Sequence, residues 1–175
     1  MDRSGTIMSS RVFAAVIPVT LATLGCLVAN VPVSFLGGFV PPPLFALMPV
    51  YFWCLVRPDL IPPFWAFAIG LLEDVLSGGP PGVWAVAFVI TYAAIDRQRD
   101  AFAGLSGFGA ILGFATAAAI ACASAYGVVA LYHWHMLPLA PVMGELAMSV
   151  FFYIPALIVL GFIHRRFVGP LRSDF

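Results

Sequence analysis

The 175-residue chain contains no lysine, and charged residues of every kind make up only 9 % of it. Eight arginines balance eight acids to a net charge of zero, with no basic tail, so the electrostatic footprint of a nucleic-acid-binding protein is missing. Soluble domains carry roughly 25 % charged residues, and this chain has too few to dress a water-facing surface. Cysteine is also scarce. Cys26, Cys54 and Cys122 are odd in number, form no CxxC pair and sit inside apolar runs, which makes them small packing residues. There is no phosphate-binding glycine loop and no convincing internal repeat.

What the chain has is apolar surface: 62 % of its residues are hydrophobic and the mean hydropathy is +1.04. This composition predicts an integral membrane protein. A spanning helix needs roughly 20 apolar residues, so the length accommodates six spans and no soluble domain. Charges and prolines bound the apolar runs at 12–29, 44–56, 62–77, 82–95, 103–131 and 142–163. They lack the polar–apolar alternation of a barrel strand, and an open strand would leave backbone groups unpaired in lipid. The expected fold is therefore all-α, a single domain over 1–175 forming a bundle of six transmembrane helices.

Arginine placement supports that count. Arg3, Arg11, Arg57, Arg97, Arg99, Arg165, Arg166 and Arg172 all fall in the termini or alternate loops, and segments 30–43, 78–81 and 132–141 hold none. The positive-inside rule then places both termini in the cytoplasm. The first apolar run is long for a signal core and has no small-x-small cleavage site, so it is expected to remain as a span. TLGC, ending at Cys26, has its leucine one place too close for a lipoprotein box. In the fifth span Gly109, Gly113, Ala117, Ala121 and Ala125 recur every four residues, a small-residue stripe that lets another helix approach closely.

The third span carries two adjacent acids, Glu73 and Asp74, within GLLEDVLSGGPPG. A step of about 100° per residue gathers Ala66, Gly70, Glu73, Asp74, Ser77 and Gly78 on one arc, with Phe67 its single bulky member. Phe64, Trp65, Ile69, Leu71, Leu72, Val75 and Leu76 lie elsewhere. The acids are thus predicted to face other helices, beside glycines that permit close approach. Both lie near the C-terminal end of their helix, where the dipole disfavours negative charge by about 0.3 to 1 kcal/mol. They need donors, and the same end of the chain offers Tyr132, His133, Trp134, His135 and backbone amides. Glu145 lies in the first turn of the sixth span, where the dipole favours it.

Three chemical readings compete with a structural one. His133-Trp134-His135 with Glu145, Glu73 and Asp74 contains enough ligand types for a metal but lacks the spacing of a known site, and histidine among aromatics suits an interfacial belt. Gly104-Leu105-Ser106-Gly107 is a GxSG string similar to that of rhomboid proteases, with His164 at the same level, yet no oxyanion donor is identifiable. Neither a metal nor a catalytic residue is assigned, and no cofactor is expected. The third reading is a membrane subunit of a transporter that binds a small molecule between the third and sixth spans.

The run 43–82 also resembles a known family. Tyr51-Phe-Trp53, Arg57-Pro58, Gly70-Leu-Leu-Glu-Asp74, Ser77-Gly78 and Pro81-Gly82, followed by Tyr92, are similar to the rod shape-determining protein MreD family, with its G-x-x-x-D-x-x-x-G third span. The chain departs from that pattern in Pro81, where leucine is usual, and in Glu73. The resemblance implies a helix arrangement similar to the substrate-binding subunits of vitamin transporters. It also implies a non-catalytic scaffold of the bacterial cell-elongation complex in the inner membrane. Its implied partners are MreC, the wall synthase RodA with its transpeptidase and, indirectly, MreB, in directing lateral peptidoglycan synthesis. Gly70, Glu73, Asp74, Ser77, Gly78, Gly82, Tyr51, Tyr92 and Glu145 are the candidates for assembly or partner contact, and the transporter subunit is the alternative.

Overall fold

The computed structural model describes residues 3–31, 41–103, 108–134 and 138–168, with side chains in the first helix from Val16 onward. Among the described residues the chain is helical and has no strand. The elements are α1 (Arg3–Ala29), α2 (Leu47–Val56), α3 (Pro63–Ser77), α4 (Val83–Arg97), the short α5 (Arg99–Ala103), α6 (Phe108–His133) and α7 (Ala140–Ile163). A π-helical turn, His164–Val168, continues α7. Six of these helices fall on the six predicted apolar runs. The largest boundary differences are α1, which begins nine residues earlier than expected, and α6, which begins five later.

Helix lengths are less uniform than six equal spans would require. α6 and α7 are long and apolar enough to cross a membrane, whereas the apolar stretch Val16–Ala29 of α1 and the whole of α2 are shorter. The 10 residues of α2 rise only about 15 Å, half of a hydrocarbon core of about 30 Å. α2 is short because it is an interior element. Every residue from Leu47 to Cys54 is buried, with α1, α4, α6 and α7 packed around it.

Local chemistry sets the helix ends. Pro62 is extended and Pro63 opens α3, where a missing amide hydrogen costs nothing. Gly78 closes α3 at φ 67°, the left-handed conformation in which glycine is favoured. The connection from α2 to α3 is held by Arg57, whose Nε and terminal nitrogen donate to the two carboxylate oxygens of Asp59, each at 2.9 Å. That pairing raises the Arg57 pKa. Tyr92 of α4 donates its hydroxyl to the Ile61 carbonyl at 2.8 Å, tying the same connection to the bundle.

The core is aromatic on one side and built of small residues on the other. The rings of Phe114 and Tyr153 stack at 3.9 Å, and Tyr51 meets both edge-on at 5.5 and 5.9 Å, joining α2, α6 and α7. On α6 the stripe Gly113, Ala117, Ala121 and Ala125 is buried, and Ala125 packs with Val83 and Ala87 of α4. The stripe therefore serves internal packing. Cys26, Cys54 and Cys122 are buried and unbridged, and the Cys26 thiol also donates to the Ile69 carbonyl at 3.6 Å. The exterior is greasy: Phe151, Ile154, Ile158 and Phe162 of α7 and Phe64, Leu71 and Val75 of α3 are all exposed.

Antiparallel succession sorts polar chemistry to two ends. The Arg57 connection lies at one, where the rings of Phe52 and His164 also meet at 6.1 Å. The other end gathers the C-termini of α1, α3 and α6 with the N-termini of α4 and α7. All three suspect acids are there.

Candidate functional site

Asp74 is 4 % exposed and receives three backbone hydrogen bonds. Its Oδ1 accepts from the Trp84 amide at 2.8 Å, and its Oδ2 accepts from Gly82 at 3.0 Å and Ala85 at 3.1 Å. These are the amides that open α4. Gly82 occupies the N-cap position at φ 95° and has no side chain with which to cap. Asp74, eight residues earlier and on another helix, supplies the carboxylate that an N-cap residue ordinarily provides. The dipole that disfavours it at the end of α3 is offset by the N-terminal dipole of α4, which favours it.

The glycines around Asp74 play two different roles. A Cβ on Gly70 would stand 2.5 Å from the Trp84 carbonyl oxygen and 2.7 Å from the Ala85 Cα, so the bare backbone at Gly70 is what lets α4 come close enough to be capped. Gly78 departs from expectation. A Cβ there would meet nothing within 4 Å, and its backbone sits at positive φ. It is a turn residue and not a close contact. Gly82 is likewise conformational.

Glu73 has a different environment. It is 8 % exposed, and its Oε1 accepts from the Asn30 side-chain amide at 2.8 Å, whose nitrogen also donates to the Cys26 carbonyl at 2.8 Å. Its Oε2 has no hydrogen-bond partner among the described residues. Sequence reasoning missed Asn30, although it is the sole polar residue ending the first apolar run. Of the expected donors, backbone amides serve Asp74, whereas Tyr132, His133 and Trp134 are exposed at the end of α6. Of the arc on α3, Ala66, Gly70, Glu73 and Asp74 are buried as expected, whereas Phe67, Ser77 and Gly78 are exposed. Ile69 is a correction, since it too is buried. Ser77 is exposed and donates to the Asp74 carbonyl at 3.3 Å.

Two neighbouring cavities complete the site. One of about 260 Å³ is bordered by Asp74, Val83, Cys122, Tyr126, Val142 and Glu145, among others. The second, of about 200 Å³, is bordered by Asn30, the prolines 41–43, Phe45, Glu73 and Phe88. Ser77, Trp84 and Glu145 border both. α7 begins at Ala140 and has no acid in its first turn, so Glu145 sits one turn further in than expected; that turn is pinned by Ser149, whose hydroxyl donates to the Glu145 carbonyl at 2.6 Å and accepts from the Leu44 amide at 2.9 Å.

Gly70, Glu73, Asp74, Ser77, Gly78, Gly82 and Glu145 are therefore brought together, while Tyr51 and Tyr92 are not. Those two, expected as assembly or partner contacts, are interior residues, 3 % and 6 % exposed, engaged with Phe114, Tyr153 and Ile61, which places them in assembly of the bundle itself. No group of three or more histidine, cysteine or acidic side chains converges on a metal position among the described residues. Ser106 and His135 lie outside the described residues. Comparison of the chain with protein-family models, curated proteins and solved structures finds no match.

Proposed function

We propose that this protein is a six-span membrane scaffold of the MreD type, non-catalytic, in the inner membrane, with the arginine-bearing end in the cytoplasm and the Asp74 end outside. The carrying observation is how the motif residues are used: Gly70, Asp74, Gly78 and Gly82 build one tightly joined pair of helices. Asp74 has both of its oxygens occupied by the backbone amides of α4. A rigid hairpin with a greasy exterior suits a protein whose work is to hold other membrane segments in register.

In this reading the partners are an MreC-like single-span protein and, through it, RodA with its transpeptidase and the MreB filament. Because α4 covers the polar face of α3, a partner's helix docks on the exposed apolar flanks and not on Asp74. Short α3 and α4 would be accommodated by local thinning of the bilayer, at a modest cost per ångström of mismatch. The test is affinity purification of the full chain from its native membrane, paired with measurement of cell width after depletion. Recovery of a single-span partner together with rounded cells is expected. Normal rods on depletion, with no membrane partner recovered, would overturn the scaffold. Reporter fusions after Gly79 and Arg99 test the topology, with opposite compartments expected.

A further inference from the structure

α1 and α7 both pack on α2, and the space between them forms a groove of about 190 Å³ on the outside of the bundle. Its walls include Leu24 and Val28 of α1, Phe45 and Met48 around the start of α2, and Val159 and Leu160 of α7, and no polar side chain lines it. Leu24, Val28 and Val159 are 53 %, 54 % and 55 % exposed, so the groove opens outward. One end leads to charge. The π-helical turn that continues α7 packs back on α1 and carries Arg165 and Arg166, both exposed. Arg57 is held by Asp59 at 2.9 Å and Arg99 lies 3.8 Å from Asp96, whereas no acid meets Arg165 or Arg166 among the described residues. From Ala156, which borders the groove, to Arg165 the helix rises about 13 Å.

We propose that the groove and the arginine pair together bind one anionic phospholipid, with its phosphate on Arg165 and Arg166 and one acyl chain between α1 and α7. Two adjacent guanidiniums without carboxylate partners match phosphate oxygens, which accept in the fork geometry that arginine presents. The groove offers a polar group no hydrogen bond, so what fills it is hydrocarbon. The two features stand at the right separation for a single molecule. An acyl chain fills half of a hydrocarbon core of about 30 Å, or about 15 Å, close to the rise between Ala156 and Arg165. A zwitterionic lipid brings the same tail but a compensating ammonium, which places the selectivity in the net charge of the headgroup. The site rests on the membrane placement proposed above and is independent of the scaffold role.

The full chain in dodecyl maltoside is titrated with dioleoyl phosphatidylglycerol and, separately, with the phosphatidylcholine of the same chains, and bound lipid is counted by native mass spectrometry. Phosphatidylglycerol should occupy one preferred site, tighter than phosphatidylcholine by about tenfold or more. Arg165→Gln combined with Arg166→Gln should bring the two lipids to within about twofold of each other. The matching double lysine variant keeps both charges, and with them the topology signal, and should retain the preference. Val159→Trp, which fills the groove from an exposed position, should abolish the preferred site, while Ile158→Trp, on α7 but outside the groove, should bind as the native chain does. Glycerophosphate, a headgroup without a tail, should not compete. Equal affinity for the two lipids, displacement by glycerophosphate, or full binding by folded Val159→Trp would overturn the site. A co-purified membrane protein that protects the groove, with no lipid bound, would assign it to a partner's helix and also overturn it. Washing native membranes with alkaline carbonate keeps the failures apart: a released chain would overturn the membrane placement itself, whereas a retained chain without lipid preference overturns this site alone.

Discussion

α3 and α4 are 15 residues each and are joined by residues 78–82, whereas α6 and α7 run for 26 and 24 residues. The shorter pair buries two acids and is fastened by a carboxylate at a helix start, with a bare glycine where the backbones approach. The longer pair relies on shape, with a ring stack between Phe114 and Tyr153 and a broad apolar exterior. The first arrangement has few chemical substitutes, because each group meets a particular backbone atom. The second is made of many small dispersion contacts, any one of which is replaceable. Of these two pairs, the shorter is therefore held at particular atoms and the longer by distributed contact.

The strongest way to break the comparison is Asp74→Leu. Three amides lose their acceptor, and at about 1 to 3 kcal/mol per orphaned group the loss should be at least about 3 kcal/mol, read as thermal or denaturant unfolding in detergent. Asp74→Asn should fall between leucine and the native residue. One oxygen still accepts, but the amide nitrogen that replaces the other points hydrogens at backbone donors. A leucine variant as stable as the parent would make the two pairs equivalent.

Gly70→Ala comes next. Its methyl group enters space held by the backbone of Trp84 and Ala85, and overpacking of this kind costs about 1 to 3 kcal/mol. Gly82→Ala tests conformation alone, since nothing crowds its Cβ and its φ is 95°; an L-residue held in left-handed geometry loses about 1 to 2 kcal/mol. The smallest effect is expected on α7, where Ile158 is 70 % exposed. Ile158→Val should stay within about 0.5 kcal/mol, and a larger loss would mark that face as a docking surface, sharpening the scaffold reading.

Much of the helical organisation was legible because it is written in local periodicity. A 100° step was enough to gather Ala66, Gly70, Glu73 and Asp74, and charges and prolines bounded six helices. The interior position of α2 was not legible, because an apolar run of that length reads the same whether lipid or protein surrounds it. The partner of Asp74 was hidden for another reason. A cap supplied across a connection leaves no mark at the usual spacing, since the capping box joins residues three apart and this one spans eight. The cue was the pair of glycines at 78 and 82, which bracket a tight turn and leave the start of α4 without a capping side chain. Asn30 was missed because its contact with Glu73 joins residues 43 apart, and no helical period links them.

Hydrogen–deuterium exchange of the α4 start tests the central claim most directly, comparing the native chain with Asp74→Ala in the same detergent. The account predicts that peptides covering 82–88 lose protection at the Gly82, Trp84 and Ala85 amides in the variant, while those from 113–125 of α6 exchange as before. Unchanged protection at the start of α4, in a variant that remains folded, would contradict the claim that the Asp74 carboxylate fastens the two helices together.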